Sequence, residues 1–399
     1  MKRIAIPLIF LAFALTACNL PAGTATPTEV VITEFPTPSP TEESIAIPLP
    51  AGLPVVDAPA LIFVDFQDAA HGWGLASTGT GSIVRSEDGG ATWLDVTPSR
   101  LTEVGYATHL SILDVNTVWA LIPNADFVTG TLYRTADGGA TWTSNPVPFG
   151  GADVQFLDPG VGRALADRGA GAGSNAVEMY QTSDGGLTWV SVYQNDPTQP
   201  GSSDSLPLSG IKNGMTFVDA NTGWVTGTRP VDGEIYLFFT HDGGATWAMQ
   251  GLSLPDGYEY NQYMPFAPLF FGQEGFLPVT ISFPGGNLEQ VFFVTHDGGA
   301  TWSADPENAS QVITYPGRFA FADALNGYAW NGGGLMYFTT DGAQNWAGMA
   351  VTLDLTDTLA QLDFVDAYTG WALTGQDETG VSRLFHTEDG GVSWTQLTP

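Results

Sequence analysis

The sequence predicts an all-β fold, a single seven-bladed β-propeller of four-stranded antiparallel blades over residues 55–399. One observation is a hairpin motif that recurs seven times about 50 residues apart, and another is a second motif that precedes each copy. A period of this length built from short strands is typical of a propeller. The composition agrees, because 49 glycines, 12 tryptophans and a charged fraction of only 13% favour turns and strands over long helices.

The N-terminus has the pattern of an export signal. A basic start, Met1-Lys2-Arg3, precedes an apolar run over 4–17 that is too short to span a ~30 Å hydrocarbon core as a helix. The run ends in Leu15-Thr16-Ala17-Cys18, which resembles the bacterial lipobox, a signal whose cysteine is diacylated and becomes the new N-terminus. We expect a signal peptide over 1–17 and a lipid anchor on Cys18; an ordinary signal peptide with a chance cysteine is the alternative.

Residues 18–54 are rich in Pro, Thr and Ser. Few large apolar side chains are available there to offset the entropy lost on ordering, so we expect a disordered tether that proline keeps extended. The tether would hold the folded body on the extracytoplasmic side of a bacterial cytoplasmic membrane. Because Cys18 is the only cysteine in the sequence, an intramolecular disulfide is excluded.

The recurring hairpin, which we call the box, reads Ser/Thr-x-Asp-x-Gly-x-Thr-Trp. Its Asp-Gly-Gly core is a turn signal in which glycine takes a positive φ without steric strain. The aspartate can accept hydrogen bonds from turn amides, and the tryptophan can bury its ring against a neighbouring blade. We therefore predict that both residues are structural. The box residues are Asp88, Asp137, Asp184, Asp242, Asp297, Asp341, Asp389, Trp93, Trp142, Trp189, Trp247, Trp302, Trp346 and Trp394.

A second motif, Phe-x-Asp-x-x-x-Gly-Trp, lies upstream of each box. It is clearest over 217–224 and 364–371, and looser copies begin at Phe63, Ile112, Phe156, Phe270 and Phe321. Each repeat therefore holds four strands: one that ends at this motif, one that starts at Gly-Trp, one that leads into the box and one that starts at the box tryptophan. Four strands make one propeller blade.

Several functions are disfavoured by the sequence. The formal net charge is −31, and removal of 1–17 would leave nine basic residues against 42 acidic ones, a balance that repels nucleic acid. The five histidines have no metal-ligand spacing, and no phosphate-binding loop, zinc motif or nucleophile elbow occurs. A motif repeated in every blade does not supply the one asymmetric constellation that catalysis needs. We expect no catalytic residue, no metal and no cofactor.

The boxes over residues 58–399 resemble those of bacterial neuraminidase repeats and, more closely, the propeller family of photosystem II stability and assembly factors. The paired motifs Thr-x-Asp-Gly-Gly-x-Thr-Trp and Phe-x-Asp-x-x-x-Gly-Trp carry the resemblance. It implies a seven-bladed, non-enzymatic protein that holds a partner membrane protein during assembly. The similarity to sialidases is more distant, because the Arg-Ile-Pro motif that those enzymes place before the first box does not occur here.

Ligand binding is expected on the face opposite the boxes, where the strand 2–3 loops and the blade connectors are long and variable. Two candidate sets lie in these loops. Aromatic side chains suit sugar or peptide contact, although they can equally pack beneath a loop; basic side chains can form an anion-binding patch or be scattered surface cations. The candidates are Tyr258, Tyr260, Tyr263, Arg100, Arg168, Lys212, Arg229 and Arg318.

The sequence therefore predicts a monomeric, non-catalytic scaffold, tethered to the membrane through Cys18, that recognises a protein or a glycan through one propeller face. Two alternatives remain open. A glycoside hydrolase would need a pair of carboxylates roughly 5–9.5 Å apart on the loop-rich face. A structural or adhesive surface protein would have no concave polar site on that face.

Overall fold

A computed structural model of the chain shows seven four-stranded antiparallel sheets, with 28 strands among the residues it describes. The described residues contain strands, turns and bends, and none of their segments is an apolar helix long enough to cross a membrane. The structure describes residues 45–77, 79–99, 101, 103–195, 205–229, 231–254, 261–304, 318–331, 334–355 and 358–397. Cys18, the predicted signal peptide and most of the predicted tether lie outside these ranges.

The first four blades follow one another along the chain, and in each of them the strands pair in sequence order. Blade 1 contains β1 (Leu61–Phe66), β2 (Gly72–Ala76), β3 (Ser82–Ser86) and β4 (Leu94–Asp95). Blade 2 contains β5 (His109–Ile112), β6 (Val118–Pro123), β7 (Gly130–Thr135) and β8 (Thr143–Val147). Blade 3 contains β9 (Ala152–Phe156), β10 (Gly162–Gly171), β11 (Ser174–Thr182) and β12 (Val190–Gln194). Blade 4 contains β13 (Ile211–Phe217), β14 (Gly223–Thr228), β15 (Tyr236–Thr240) and β16 (Ala248–Met249).

Blade 5 departs from this pattern because its innermost strand is interrupted, so that two short strands pair with the same neighbour. Its strands are β17 (Gln262–Pro265), β18 (Leu269–Phe271), β19 (Glu274–Ser282) and β20 (Leu288–Thr295). Its outer edge is a single bridge between Val294 and Ser303. Blade 6 contains β21 (Phe319–Phe321), β22 (Gly327–Trp330), β23 (Leu335–Thr339) and β24 (Ala347–Ala350). Blade 7 contains β25 (Leu359–Phe364), β26 (Gly370–Thr374), β27 (Leu384–Thr387) and β28 (Thr395–Gln396). The predicted seven-bladed propeller is confirmed.

The blades join through stacked rings. Trp371, the second residue of β26, lies flat on Phe66 of blade 1 with ring centroids 3.6 Å apart. In the same way, Trp119 of blade 2 stacks on Phe156 of blade 3 at 3.7 Å. The same position in blade 3 is Arg163, which lies over Phe217 instead. Because Phe66 is the last residue of β1, the first copy of the upstream motif begins at Phe66, which corrects the predicted start at Phe63.

The ring closes without a shared strand, since blade 1 and blade 7 are each built from one continuous stretch of chain. Blade 7 contacts blade 1 through the stack of Trp371 on Phe66. The indole N–H of Trp371 also donates a hydrogen bond to the Gly89 carbonyl at 2.9 Å. In the other direction, the Phe66 amide donates to Asp363 Oδ2 at 2.7 Å. Equivalent bonds at other junctions use neutral acceptors, Ser111 and Gln155. Closure thus repeats the contacts of the other junctions.

Residues 45–54, which the sequence assigns to the tether, contact the propeller. The Ile47 amide donates to the side chain of Asn116 in blade 2 at 2.8 Å, and Leu49 and Leu53 pack against the core shared by blades 1 and 2. Val55 then pairs with the outer strand of blade 1. Contacts with the propeller therefore begin within the segment that the sequence assigns to the tether.

Candidate functional site

The box aspartates hold their own turns. Asp184 accepts hydrogen bonds from the Thr188 amide at 2.9 Å, the Thr188 hydroxyl at 2.6 Å and the Thr182 hydroxyl at 2.8 Å. These bonds lower the pKa of Asp184 to about 2. The same three contacts occur in every box, with Asn345 or Ser393 replacing the second threonine in the last two. Each of the seven carboxylates therefore accepts hydrogen bonds within its own turn.

The aspartate of the upstream motif has a matching role that sequence reasoning missed. Asp219 Oδ1 accepts from the amides of Asn221 and Thr222 at 2.7 and 2.8 Å, which fixes the strand 1–2 turn. The carbonyl of Asn221 in turn accepts from the amide of box Gly243 at 2.9 Å. The box glycine bonds to this turn in all seven blades. The signal was the second motif itself, whose aspartate recurs at the same distance before Gly-Trp.

The box tryptophans pack within or between blades. Trp93 and Trp247 are fully buried. Trp142 donates its indole N–H to the Val96 carbonyl of blade 1 at 2.7 Å, whereas Trp189 and Trp394 donate to glycines of their own boxes. The remaining two, Trp302 and Trp346, pack against the cores around blades 5 and 6.

The predicted basic candidates are engaged in internal contacts. Arg168 Nε pairs with Glu178 at 2.9 Å, an Arg168 Nη donates to the Pro148 carbonyl at 3.0 Å, and the guanidinium lies over the Tyr180 ring. Arg229 pairs with Glu234 at 2.6 Å. Arg318 Nε donates to the Leu359 carbonyl at 2.5 Å. Arg100 lies outside the described residues.

Lys212 is buried, and its ammonium group donates to three backbone carbonyls, those of Asn175, Leu208 and Gly210, at 2.9, 2.9 and 3.2 Å. Burial lowers the pKa of Lys212 to about 8, with the nearby Asp167 carboxylate opposing the shift and Arg229 adding to it. Lys212 and Arg229 are therefore brought close together. However, three carbonyls use all the donors of the ammonium group.

Tyr263 has a different place from the one predicted. Its side chain is only 2% exposed and belongs to the core cluster of blade 5. This corrects its assignment to the binding surface and matches the alternative, in which aromatics pack beneath the loop. Tyr258 and Tyr260 lie outside the described residues.

The loop-rich face carries a pocket of about 690 Å³ between blades 7 and 1, which we call the 7/1 pocket. It is formed by the loop after β2, the loop between β26 and β27, the connector between blades 1 and 2, and the segment before β1. Its volume falls in the range of roughly 300–1,000 Å³ that small-molecule sites occupy. The lining residues are Ala58, Pro59, Ala60, Ser77, Tyr106, Gln376, Gly380, Val381, Ser382 and Arg383.

A chain of neutral polar groups crosses the 7/1 pocket. Tyr106, whose side chain is 73% exposed, bonds through its hydroxyl to Gln376 Oε1 at 2.5 Å. Gln376 Nε2 donates to the Ser77 hydroxyl at 2.5 Å, which in turn donates to the Ala60 carbonyl at 3.3 Å. These bonds orient the Tyr106 ring while leaving most of it in solvent.

Two further groups in the pocket have unused hydrogen-bonding capacity. Ser382 is 3% exposed, and its hydroxyl has no hydrogen-bond partner. Arg383 lies with Nη2 at 3.6 Å from Asp377 Oδ2, which is too long for a hydrogen bond. The pocket wall also includes Ala58, whose φ of 46° is unusual for a residue with a side chain. Sequence reasoning missed this site, because its residues come from opposite ends of the chain and carry no motif.

A second cavity on the same face, of about 430 Å³, lies between blades 3 and 4 and is more polar. His109 Nε2 is 3.6 Å from Asp153 Oδ1 there, and Asp153 Oδ2 accepts from the Met215 amide at 3.1 Å. Burial raises the pKa of Asp153, while His109 and the amide oppose the shift. Buried Asn175 and Lys212 form part of the wall.

Two carboxyl groups, Asp65 and Asp363, meet in the innermost strands at the ring closure. Burial raises the pKa of Asp363, and the neighbouring Asp65 carboxylate raises it further; burial also raises the pKa of Asp65, against a hydrogen bond from Gln67. Both residues immediately precede the last residue of their strands, which lead into turns on the box face. Within the described part of the chain, no three His, Cys, Asp or Glu side chains are grouped as metal ligands would be.

Comparisons with known proteins establish the fold. No family model matches the chain, and no curated protein matches it. Among solved structures, YCF48 from Cyanidioschyzon merolae is 19% identical, with a TM-score of 0.51 over 85% of this chain and 96% of that one. An ulvan lyase of polysaccharide lyase family PL25 is 10% identical, with a TM-score of 0.52 over 86% of this chain and 95% of that one. The chain therefore shares the propeller fold with proteins of both kinds.

Proposed function

We propose that this protein is a non-catalytic binding protein of the bacterial cell envelope, anchored through Cys18, and that it holds its ligand in the 7/1 pocket. The observation that carries the proposal is the lining of that pocket. It combines an exposed aromatic ring, neutral hydrogen-bonding groups and one arginine, and none of its described lining residues carries a carboxyl group. Such a site can bind and orient a ligand, but it lacks the acid and base of a hydrolase.

The rest of the molecule supports this assignment. The box face presents carboxylates whose oxygens already accept hydrogen bonds from their own turns, whereas the loop-rich face presents concave sites with donors to spare. A purely structural or adhesive protein has no need of such sites. Function in a propeller is carried by sites that break the repeat, since one fold serves many tasks.

The test is a combined binding and turnover screen of the soluble Cys18→Ser chain against a library of oligosaccharides and peptides. We expect at least one compound to bind and to be recovered intact, and Tyr106→Ala to weaken its binding by tenfold or more. Leu187→Ala, an exposed apolar residue of a box on the other face, is the control and leaves binding unchanged. Recovery of cleaved ligand, or equal binding by Tyr106→Ala, contradicts the proposal.

One observation favours a second function, that of a glycoside hydrolase. The Asp65–Asp363 pair contains a carboxyl group whose pKa burial raises far enough for it to serve as a general acid. This pair lies towards the box end of the innermost strands, away from the 7/1 pocket. The pair that the sequence-based alternative requires belongs instead on the loop-rich face, where Asp153 and Asp167 both line the cavity of about 430 Å³. In the same screen, turnover that Asp363→Asn abolishes would establish the hydrolase instead.

A further inference from the structure

We infer that the ligand of the 7/1 pocket is a neutral saccharide, an inference that rests on the binding function proposed above. The Tyr106 ring supplies the first part of the argument. Its exposed surface is fixed at one end by the bond to Gln376, so it forms a rigid, apolar platform at the edge of a polar pocket. A sugar ring has one face of C–H groups that packs on such a platform, while its hydroxyls point to the sides.

The polar groups supply the second part. Tyr106, Gln376, Ser77 and Ser382 are all neutral, and all except the glutamine amide carry a hydroxyl that can both donate and accept. Sugar hydroxyls have the same dual character, so each can take part in the chain that runs from Tyr106 to the Ala60 carbonyl. An extended peptide would instead need a run of free backbone donors and acceptors, as on a sheet edge.

Ser382 adds a buried hydroxyl without a partner at the pocket itself. Other buried side chains, Thr108 and Thr226 among them, also have unpartnered hydroxyls, but Ser382 lines the 7/1 pocket, where a ligand can reach it. A buried hydroxyl without a partner destabilises the fold. The residue belongs to the pocket wall. A ligand hydroxyl placed there would supply the missing hydrogen bond.

Charge selects a neutral ligand over an acidic one. Arg383 is the one basic residue among the pocket's described lining residues, and the Asp377 carboxylate lies beside it. That carboxylate already accepts from the Thr379 and Val381 amides, so the guanidinium keeps free donors for a sugar oxygen. The chain as a whole carries a formal net charge of −31, which repels a polyanionic glycan at long range.

The experiment sorts the library by class. Neutral gluco-, xylo-, manno-, galacto- and N-acetylglucosamine oligosaccharides are titrated beside uronate-containing and sulfated ones and beside a random peptide set. We expect a neutral oligosaccharide to bind, Tyr106→Ala to reduce its affinity at least tenfold, and Ser382→Ala to reduce it about five- to tenfold. Because Ser382→Ala removes an unpartnered hydroxyl, its melting temperature stays equal to or above that of the wild type.

The other outcomes distinguish a failure of the saccharide inference from a failure of the proposed binding function. Peptide binding that Tyr106→Ala abolishes keeps the binding function and overturns the saccharide. Binding confined to acidic glycans, or no binding by any neutral one, also overturns the saccharide. A neutral oligosaccharide that binds wild type and Tyr106→Ala equally overturns both, since the pocket is then not the site. A Ser382→Ala variant that loses stability and keeps full affinity removes the argument from the buried hydroxyl.

Discussion

A box turn and the 7/1 pocket differ in how completely their polar side chains are hydrogen-bonded. On the box face, Asp137 accepts from the Thr141 amide at 2.8 Å, the Thr141 hydroxyl at 2.6 Å and the Thr135 hydroxyl at 2.9 Å. On the loop-rich face, Ser382 has no partner and Arg383 has no hydrogen bond to its neighbouring carboxylate. Each box turn therefore satisfies its own aspartate, so the boxes form a frame, whereas the 7/1 pocket lies where the repeat breaks down.

Two arginines near the box face are buried. Arg85 is buried, lies over the Trp73 ring and donates to the Gly138 carbonyl in the box of the next blade at 3.0 Å. Arg163 does the same for the Ala220 carbonyl in the turn of blade 4. These arginines join blades beneath the box face. Arg383, at the 7/1 pocket, is instead half exposed.

We expect the greatest loss of stability when a buried aromatic residue of the frame is removed, and almost none when an exposed one of the loop-rich face is removed. Trp371→Ala removes the stack on Phe66 and the bond to Gly89 that close the ring. We expect it to lower the free energy of unfolding by about 3–5 kcal/mol, as for other buried tryptophans. Tyr106→Ala, its control, changes that free energy by less than about 0.5 kcal/mol, because the ring is in solvent. Denaturant unfolding measures both, and equal losses would remove the distinction between frame and site.

A pH titration distinguishes two kinds of carboxyl group, because the acids of the ring closure and of the boxes have opposite pKa shifts. Burial, and then the Asp65 carboxylate, raise the pKa of Asp363 from 3.8 to about 8. The folded state therefore binds a proton that the unfolded chain releases, and this group's contribution to stability falls as pH rises from about 4 to about 8. Asp363→Asn keeps an oxygen for the Phe66 amide and removes the ionisation. We expect a gain on the order of 1–3 kcal/mol at pH 8 and none at pH 4.

The matched variant is Asp137→Asn in a box. Burial alone would raise the pKa of Asp137, but hydrogen bonds from Thr141 and Thr135 outweigh it and lower the pKa. A carboxylate whose pKa is lower in the folded state stabilises the fold at pH values above its unfolded-state pKa, and this stabilisation is lost as pH falls. Asp137→Asn therefore destabilises the protein at neutral pH and has little effect in acid. Thermal unfolding of both variants between pH 2 and 9 gives the signs. A loss of stability by Asp363→Asn at pH 8 would contradict the assignment of the raised pKa.

A smaller effect separates the two kinds of turn. Asp137→Ala leaves the Thr141 amide and two hydroxyls without their acceptor, and we expect a loss of about 1–2 kcal/mol. Asp126, in a loop of the other face, also accepts two amides, at 3.0 and 3.1 Å, but it is exposed and water can replace it. Asp126→Ala should therefore lose less than Asp137→Ala in the same urea titration. The reverse order would show that the boxes are not the more constrained turns.

The sequence predicts the frame well and the candidate site poorly, for a physical reason. A blade is a local unit, so spacing alone reveals its four strands and the position of its box. The 7/1 pocket is made by ring closure, which brings Ala60 and Gln376 together from opposite ends of the chain. Whether a loop cation is free or paired also depends on such contacts: Arg168 is predicted for a ligand-binding patch, yet Glu178 and the Pro148 carbonyl hold it. The spacing of the repeats carries no information on the 7/1 pocket or on whether a loop cation is paired.

The more exposed ion pairs of the loop-rich face should contribute least to the free energy of unfolding. Arg229 pairs with Glu234, a half-exposed carboxylate, at 2.6 Å. Exposed ion pairs contribute little, so Arg229→Gln should change the free energy of unfolding by less than about 1 kcal/mol. Arg168→Gln is the contrasting variant, because its partner Glu178 is more buried and a loss of charge there leaves a carboxylate unpaired. If Arg229→Gln cost as much as Arg168→Gln, the cations of this face would belong to the frame, and ligand binding would have to be sought in the 7/1 pocket's neutral groups alone.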